Sequence, residues 1–191
     1  ARNQVWVSPM FASEIDLPDE SGSCEPNVPC LFIAAPIRNN GDLYGILRVR
    51  VRALEIGQSL LRAANYSEMF ATSDTYVVNS EGVYVSPSFF EKDLLAKGRI
   101  KHRSMLDLKV QTPSGKLTSA FQRSRALFGS ESIDDSVDLA GYEGVLGGIE
   151  VGAWARVPET DWVCIAEIGR AEAYAPLIKL TWTSLLVSLG I

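Results

Sequence analysis

The chain is predicted to be α+β: an antiparallel sheet of about five strands with flanking helices, preceded by the later strands of a second such module. Three observations predict it. Residues 138–168 (DLAGYEGVLGGIEVGAWARVPETDWVCIAEI) run from a Gly-punctuated turn into an alternating strand with Val151, Ala153, Ala155 and Val157 on one face. Pro158, Glu159, Thr160 and Asp161 then connect to a second apolar strand, 162–168. Period-two alternation broken by a Pro/Asp turn suits an antiparallel hairpin. Residues 30–51 (CLFIAAPIRNNGDLYGILRVRV) echo it, with a turn at Asn39, Asn40, Gly41 and Asp42. Two related hairpins far apart in the chain point to two copies, or parts of two copies, of one small module.

The 191 residues are 47% hydrophobic and 21% charged, enough to bury a core and too apolar for general disorder. A net charge of -5 argues against nucleic acid as a partner, because phosphate binding needs surplus Lys and Arg. Three cysteines are too few for a disulfide scaffold. Cys24 and Cys30 flank a Pro-containing loop (CEPNVPC), and two readings stand there: a bridge formed in an oxidising compartment, or two free thiols. Cys164, inside an apolar strand, is expected in the core.

In chain order, residues 5–11 are predicted as a strand ending at Ser8-Pro9, and 14–29 as a polar loop. In the second strand of the first hairpin, Leu47, Val49 and Val51 point one way and Arg48, Arg50 and Arg52 the other. Residues 53–64 have a helical stripe in Leu54, Leu60 and Leu61. Residues 74–87 (DTYVVNSEGVYVSP) are predicted as a hairpin turning over Asn79, Ser80, Glu81 and Gly82, and 89–97 as a short helix ended by Gly98. Between 99 and 138 the pattern gives loops and one short strand at 106–110. Residues 170–189 run as one helix with Glu172 in its first turn. Its end, LTWTSLLVSLGI, is uncharged; it is expected to begin a transmembrane segment, the other reading being a core or interface helix.

Enzyme chemistry finds little support. The one histidine, His102, stands in a charged stretch and is expected to be exposed, and no His/Cys cluster has zinc spacing. Gly141, Gly144, Gly147, Gly148 and Gly152 lack P-loop order. Tyr76, Tyr84, Tyr142 and Trp154 are read either as packing residues or as the lining of a cavity, and Trp162 as core.

The order of strand, Ser8-Pro9, variable loop, LFIAAPIRNNGDLYGILRVRV, helix, TYVVNSEGVYVSPS, long loop and DLAGYEGVLGGIEVGAWARVPETDWVCIAEIGRAEAYAPL resembles the double Cache sensor domain. That family is a tandem of PAS-like modules outside bacterial histidine kinases, diguanylate cyclases and chemoreceptors. The resemblance implies that residues 1–52 are the later strands of the membrane-distal module, 53–176 the membrane-proximal module, and 177–191 the exit helix and start of a transmembrane segment. It further implies a periplasmic or extracellular ligand-sensing segment of a membrane-anchored receptor, foremost a sensor histidine kinase, without catalysis or cofactor of its own. The implied partners are a small-molecule ligand, the membrane through the C-terminal helix, and a second copy of the chain.

Amine-binding members of the family carry an aspartate on the last distal strand in a Gly-x-x-x-x-Asp context. Counting from Gly45, that place is held here by Arg50. A guanidinium there favours an anionic ligand such as a small carboxylate. The expected ligand-binding residues are therefore Arg50, with Trp6 and Phe11 as apolar walls and Tyr44 beside them. The competing reading makes Arg48, Arg50 and Arg52 a solvated strand face. Two other classes stay open for the whole chain: a structural module that transmits without binding, and a soluble α+β enzyme.

Overall fold

The structure is a computed structural model, and it describes residues 5–18, 24–54, 70–111, 136–158 and 160–188. It is α+β, built around two antiparallel sheets. The first contains β1 (Trp6–Val7), β2 (Phe11–Ala12), β5 (Pro29–Asn39) and β6 (Asp42–Arg52); β5 pairs with the other three. A small two-stranded sheet, β3 (Leu17–Pro18) with β4 (Cys24–Glu25), lies between them in sequence. The second large sheet has the order β7–β10–β9–β8, from β7 (Asp74–Val78), β8 (Ser136–Glu143), β9 (Ile149–Arg156) and β10 (Val163–Gly169). Among the described residues, two helices are α1 (Glu91–Ala96) and α2 (Arg170–Ser188).

The β5–β6 turn follows from its residues. Asn39 pairs with Asp42, leaving Asn40 (φ 50°) and Gly41 (φ 95°) as a two-residue loop. Asn-Gly tolerates two positive φ angles, and the resulting twist matches that of the flanking strands. The predicted β9–β10 hairpin is present, with Val163 opposite Arg156 and Ile168 opposite Val151.

Local reading departs from the fold at three places. Residues 138–143, read as a Gly-punctuated turn, belong to β8, which bulges between Asp138 and Tyr142 where Gly141 sits at φ 93°. A bulge interrupts the alternation that marks a strand, which hides it from a period-two search. Residues 83–85 and 106–110 make isolated bridges, Val78 with Tyr84 and Val83 with Lys109, in place of full strands. The predicted helix at 53–64 falls almost wholly outside the described residues.

The main core lies between one face of the second sheet and the segment 84–110. It joins Tyr76, Val78, Trp154, Val163 and Ile165 to Tyr84, Leu94, Leu108 and Val110. Burying side chains of this size contributes roughly 1.5–3 kcal/mol each. A second cluster, Leu31, Val77, Val85 and Trp162, with Ile33, Val51 and Cys164 at its edge, ties the apolar face of β5–β6 to the second sheet. The first hairpin therefore presents its opposite face, the one bearing arginines, away from this contact.

Candidate functional site

Directly opposed residues in an antiparallel pair share a face. Phe32 is opposite Arg50, Ala34 is opposite both Arg48 and Trp6, and Cys30 is opposite both Arg52 and Phe11. Trp6, Phe11, Phe32, Arg48, Arg50 and Arg52 thus occupy one face of the first sheet, whereas Tyr44 is the residue passed over where the register shifts between Ile37 and Arg38.

The centre of this face is a stack. The Arg48 guanidinium carbon lies 3.4 Å from the Phe32 ring centroid, and Phe32 stacks on Phe11 with centroids 5.0 Å apart. Arg50 donates to Ser13 Oγ at 3.3 Å, and Arg52 donates to the Pro18 carbonyl at 2.9 Å. Among the described residues none of the three guanidinia meets a carboxylate. Their field reaches Cys30, a free buried thiol: burial raises its pKa, while Arg50 and Arg52 pull it down.

Arg50 is exposed, Phe11 half-buried, and Trp6 and Tyr44 are 56% and 80% exposed. Tyr44 stands six residues from Arg50 along the strand, about 20 Å away, too far to touch the same small molecule. The structure brings Arg50 and Phe11 together through Phe32, sets Trp6 and Arg48 on either side of Ala34, and leaves Tyr44 near the turn. Phe32 and Ser13 were missed in the sequence reading, and Arg48 was read only as part of the arginine strand face. Phe32 was legible as the same-parity partner of Cys30 and Ala34, opposite the arginine series.

The inner face of the second sheet holds a different constellation. Tyr76, Tyr84, Tyr142 and Trp154 are each at most 5% exposed, and Tyr76 stacks on Tyr84 at 4.4 Å. Tyr142 donates to Glu167 Oε1 at 2.8 Å. Glu167 is buried, and Glu150 is half-buried with its pKa pushed up to about 9, chiefly by desolvation and then by the Glu167 charge. Asp74 accepts from Ser88 Oγ at 2.6 Å and from the Phe89 amide at 3.0 Å, and burial raises it to about 6 against those bonds. His102 is exposed. Among the described residues no group of three His, Cys, Asp or Glu has the geometry to hold a metal.

No family model matches the sequence, and no curated protein matches it. The likeness to solved structures is one of fold. The periplasmic sensory domain of the Campylobacter jejuni chemoreceptor Tlp1 superposes with a TM-score of 0.56 at 15% identity, over 92% of this chain and 52% of that one. The extracellular domain of the histidine kinase mmHK1S-Z2 gives 0.52 at 12% identity, over 88% of this chain and 52% of the other. The chain spans about half the length of these sensor domains. Its antiparallel α+β architecture is the Cache/PAS-like sensor fold.

Proposed function

We propose that the chain is an extracytoplasmic ligand-sensing segment of a membrane-anchored bacterial receptor, of the histidine kinase or chemoreceptor kind, that takes a small carboxylate on its arginine face. The fold supports the sensory class. The observation that carries the ligand class is the set Arg48, Arg50 and Arg52, beside two stacked rings and without a carboxylate partner among the described residues. A guanidinium offers a planar fork of donors suited to a carboxylate, and the rings supply the apolar wall.

In this reading residues 1–52 belong to the membrane-distal module, 53–176 to the proximal module, and 177–191 to the exit helix and the start of a transmembrane segment. The division is supported by the separate sheets of β5–β6 and β7–β10. Ligand shifts the population between two arrangements, and α2 carries the difference outward. Leu177, Ile178, Leu180 and Trp182 are all more than half exposed on α2, which supports contact with a membrane or a second copy of the chain. Among the described residues no helix is long and apolar enough to cross a membrane, so the anchoring rests on the fold likeness and on those side chains.

The test is a thermal-shift and calorimetric screen of the 191-residue chain against acetate, lactate, succinate and the amino acids, repeated on Arg50→Ala. A carboxylate that stabilises the wild type and loses its effect in the variant supports the reading. Equal affinity in both chains removes the arginine face from the site, and no stabilising compound at all favours a module that transmits without binding.

A further inference from the structure

The start of β5 faces the loop after α1 across a cleft. Its larger part has a volume of about 530 Å³, lined by Ala12, Pro26 and Asn27 from the first sheet and by His102, Arg103 and Leu106 from the loop. A smaller part of about 220 Å³ reaches Arg52 and Glu91. Pro29, His102, Arg103 and Met105 wall both, so the two parts adjoin. Cavities of roughly 300–1,000 Å³ hold small-molecule ligands. Both walls are held by the fold itself. Ser104 donates to Glu91 through its amide and its hydroxyl, and that hydroxyl accepts from the Ser88 amide at 2.9 Å. The Leu106 amide donates to the Tyr84 carbonyl at 2.9 Å. Across the cleft, Ala12 pairs with Pro29, and the Ser13 amide donates to the Val28 carbonyl at 2.8 Å. Two non-glycine residues of the lining hold left-handed backbone, Asn27 at φ 54° and Leu106 at φ 64°. Asparagine tolerates that conformation; leucine does not, and such strain persists only where the surroundings enforce it.

The cleft is basic on an acidic chain. Arg99, Lys101, His102 and Arg103 stand together in a sequence whose net charge is -5. Among the described residues neither the Arg103 guanidinium nor the His102 ring has a hydrogen-bond or ion-pair partner. Arg52 gives Nη1 to the Pro18 carbonyl, but its Nε–H is buried without an acceptor. A buried donor is costly to leave unpaired, and this one borders the smaller part of the cleft. Arg52, His102 and Arg103 come from two separate segments, which suits an anion with oxygens in several directions better than the flat edge of a carboxylate. Two acids share the lining. Glu91 is engaged by Ser104, whereas Asp107 has no partner among the described residues and lines only the larger part. With the Asn27 amide beside it, that part offers an acceptor and a donor for hydroxyl groups, and the Asp107 charge turns a second anion away.

We propose that this cleft binds the phosphate monoester of a small polyol. The phosphate lies where the two parts meet, among Arg52, His102 and Arg103, and the hydroxyls point toward Asn27 and Asp107. Pro29 and Met105 flank the carbon chain. Such a ligand bridges the start of β5 and the 102–107 loop, and so ties the first sheet to the segment that covers the core face of the second. The site is separate from the carboxylate site on the arginine face: Arg50, Phe11 and Trp6 do not line it, and Arg52 borders both.

The experiment is calorimetric titration of the 191-residue chain with glycerol 3-phosphate, with inorganic phosphate and glycerol for comparison, and a repeat in the presence of succinate. Glycerol 3-phosphate is expected to bind about tenfold more tightly than inorganic phosphate, through its hydroxyls, and glycerol not at all. Succinate, whatever it does on the arginine face, should not displace it. Arg103→Met keeps the stem of a half-buried side chain and removes its charge, which should weaken both phosphates by at least about tenfold. His102→Ala alters an exposed side chain and should weaken both by about threefold, with the fold of each variant checked by circular dichroism. Asp107→Ala should bring glycerol 3-phosphate down to the affinity of inorganic phosphate. Lys97→Met removes a charge outside the lining and should change neither. No phosphate binding by the folded wild-type chain overturns the proposal, as does displacement by equimolar succinate. Unchanged affinity in both Arg103→Met and His102→Ala overturns it too, and so does an equal loss in Lys97→Met, which would make the binding one of overall charge.

Discussion

The carboxylate of Glu172, in the first turn of α2, closes on Thr72, just ahead of β7. It accepts from the Thr72 and Ala71 amides at 2.9 Å each and from the Thr72 hydroxyl, whose oxygen in turn accepts from the Gly169 amide at 2.9 Å. One side chain therefore joins the entry to the second sheet, the end of β10 and the start of the helix. An acid in a first turn also suits the helix dipole. These donors lower the Glu172 pKa, so the contact is present above its unfolded value of 4.5 and is lost as pH falls through the depressed folded one. Glu172→Ala is expected to speed hydrogen exchange at the amides of Ala71 and Thr72 by about tenfold while leaving Val163–Gly169 protected elsewhere in the strand. Unchanged exchange at 71 and 72 would show that the helix start is held by Arg170 and Tyr174 instead, which bond the carbonyls of Ala140 and Leu139.

Stability should fall as pH rises from 5 to 9. Asp74 and Glu150 have folded pKa values of about 6 and about 9, above their ordinary values of 3.8 and 4.5. The native state then holds more protons than the unfolded chain in that window, so unfolding free energy declines with pH. Moving Asp74 from 3.8 to about 6 corresponds to about 3 kcal/mol lost once it is ionised, an upper figure given the unfolded chain's own structure. Urea unfolding across pH should show this slope, and Glu150→Gln should flatten its part above pH 6. A stability that climbs toward pH 9 would contradict the raised values.

The hairpins were legible because alternation and turn chemistry act within a few residues: Asn40-Gly41 and the Pro158–Asp161 connection mark their own turns. The inner-face acids were not, because their meeting depends on register. Glu167 comes opposite Asp74 across a long stretch of chain, and neither has a local signature. Trp154 and Tyr142 were read as packing or cavity-lining aromatics, but only the bulge at Gly141 brings Tyr142 directly opposite Glu150. On the arginine face the alternation of Arg48, Arg50 and Arg52 was plain, whereas Ser13 reaches Arg50 from a separate strand region and left no pattern to find.

Arg48 and Phe32 form the contact most sensitive to shape on the arginine face. Arg48→Lys keeps the charge but loses the flat guanidinium that lies over the ring. The change should destabilise by about 0.5–1 kcal/mol, the size of an exposed cation–π contact, read as a lower urea midpoint. Arg48→Met, which retains the stem and removes the charge, should lose a similar amount. An unaltered midpoint in both would mean that the stack is made without net gain.

Gly152 is required by what crosses it. A methyl group there would collide with the Tyr142 hydroxyl and stand 3.0 Å from the Ala166 carbonyl and 3.2 Å from Glu167 Cγ. The first obstacle is the hydroxyl that donates to Glu167, and the second is backbone of the neighbouring strand, which cannot step aside. Gly152→Ala should therefore destabilise by about 1–3 kcal/mol through overpacking, and should displace Tyr142 from Glu167. Gly148→Ala is the matched control, because a methyl group at Gly148 meets nothing within 4 Å. Chemical denaturation of the two variants side by side should separate them clearly. Equal stabilities would mean that Tyr142 can leave Gly152 freely, and that its bond to Glu167 contributes little to holding β8 on the sheet.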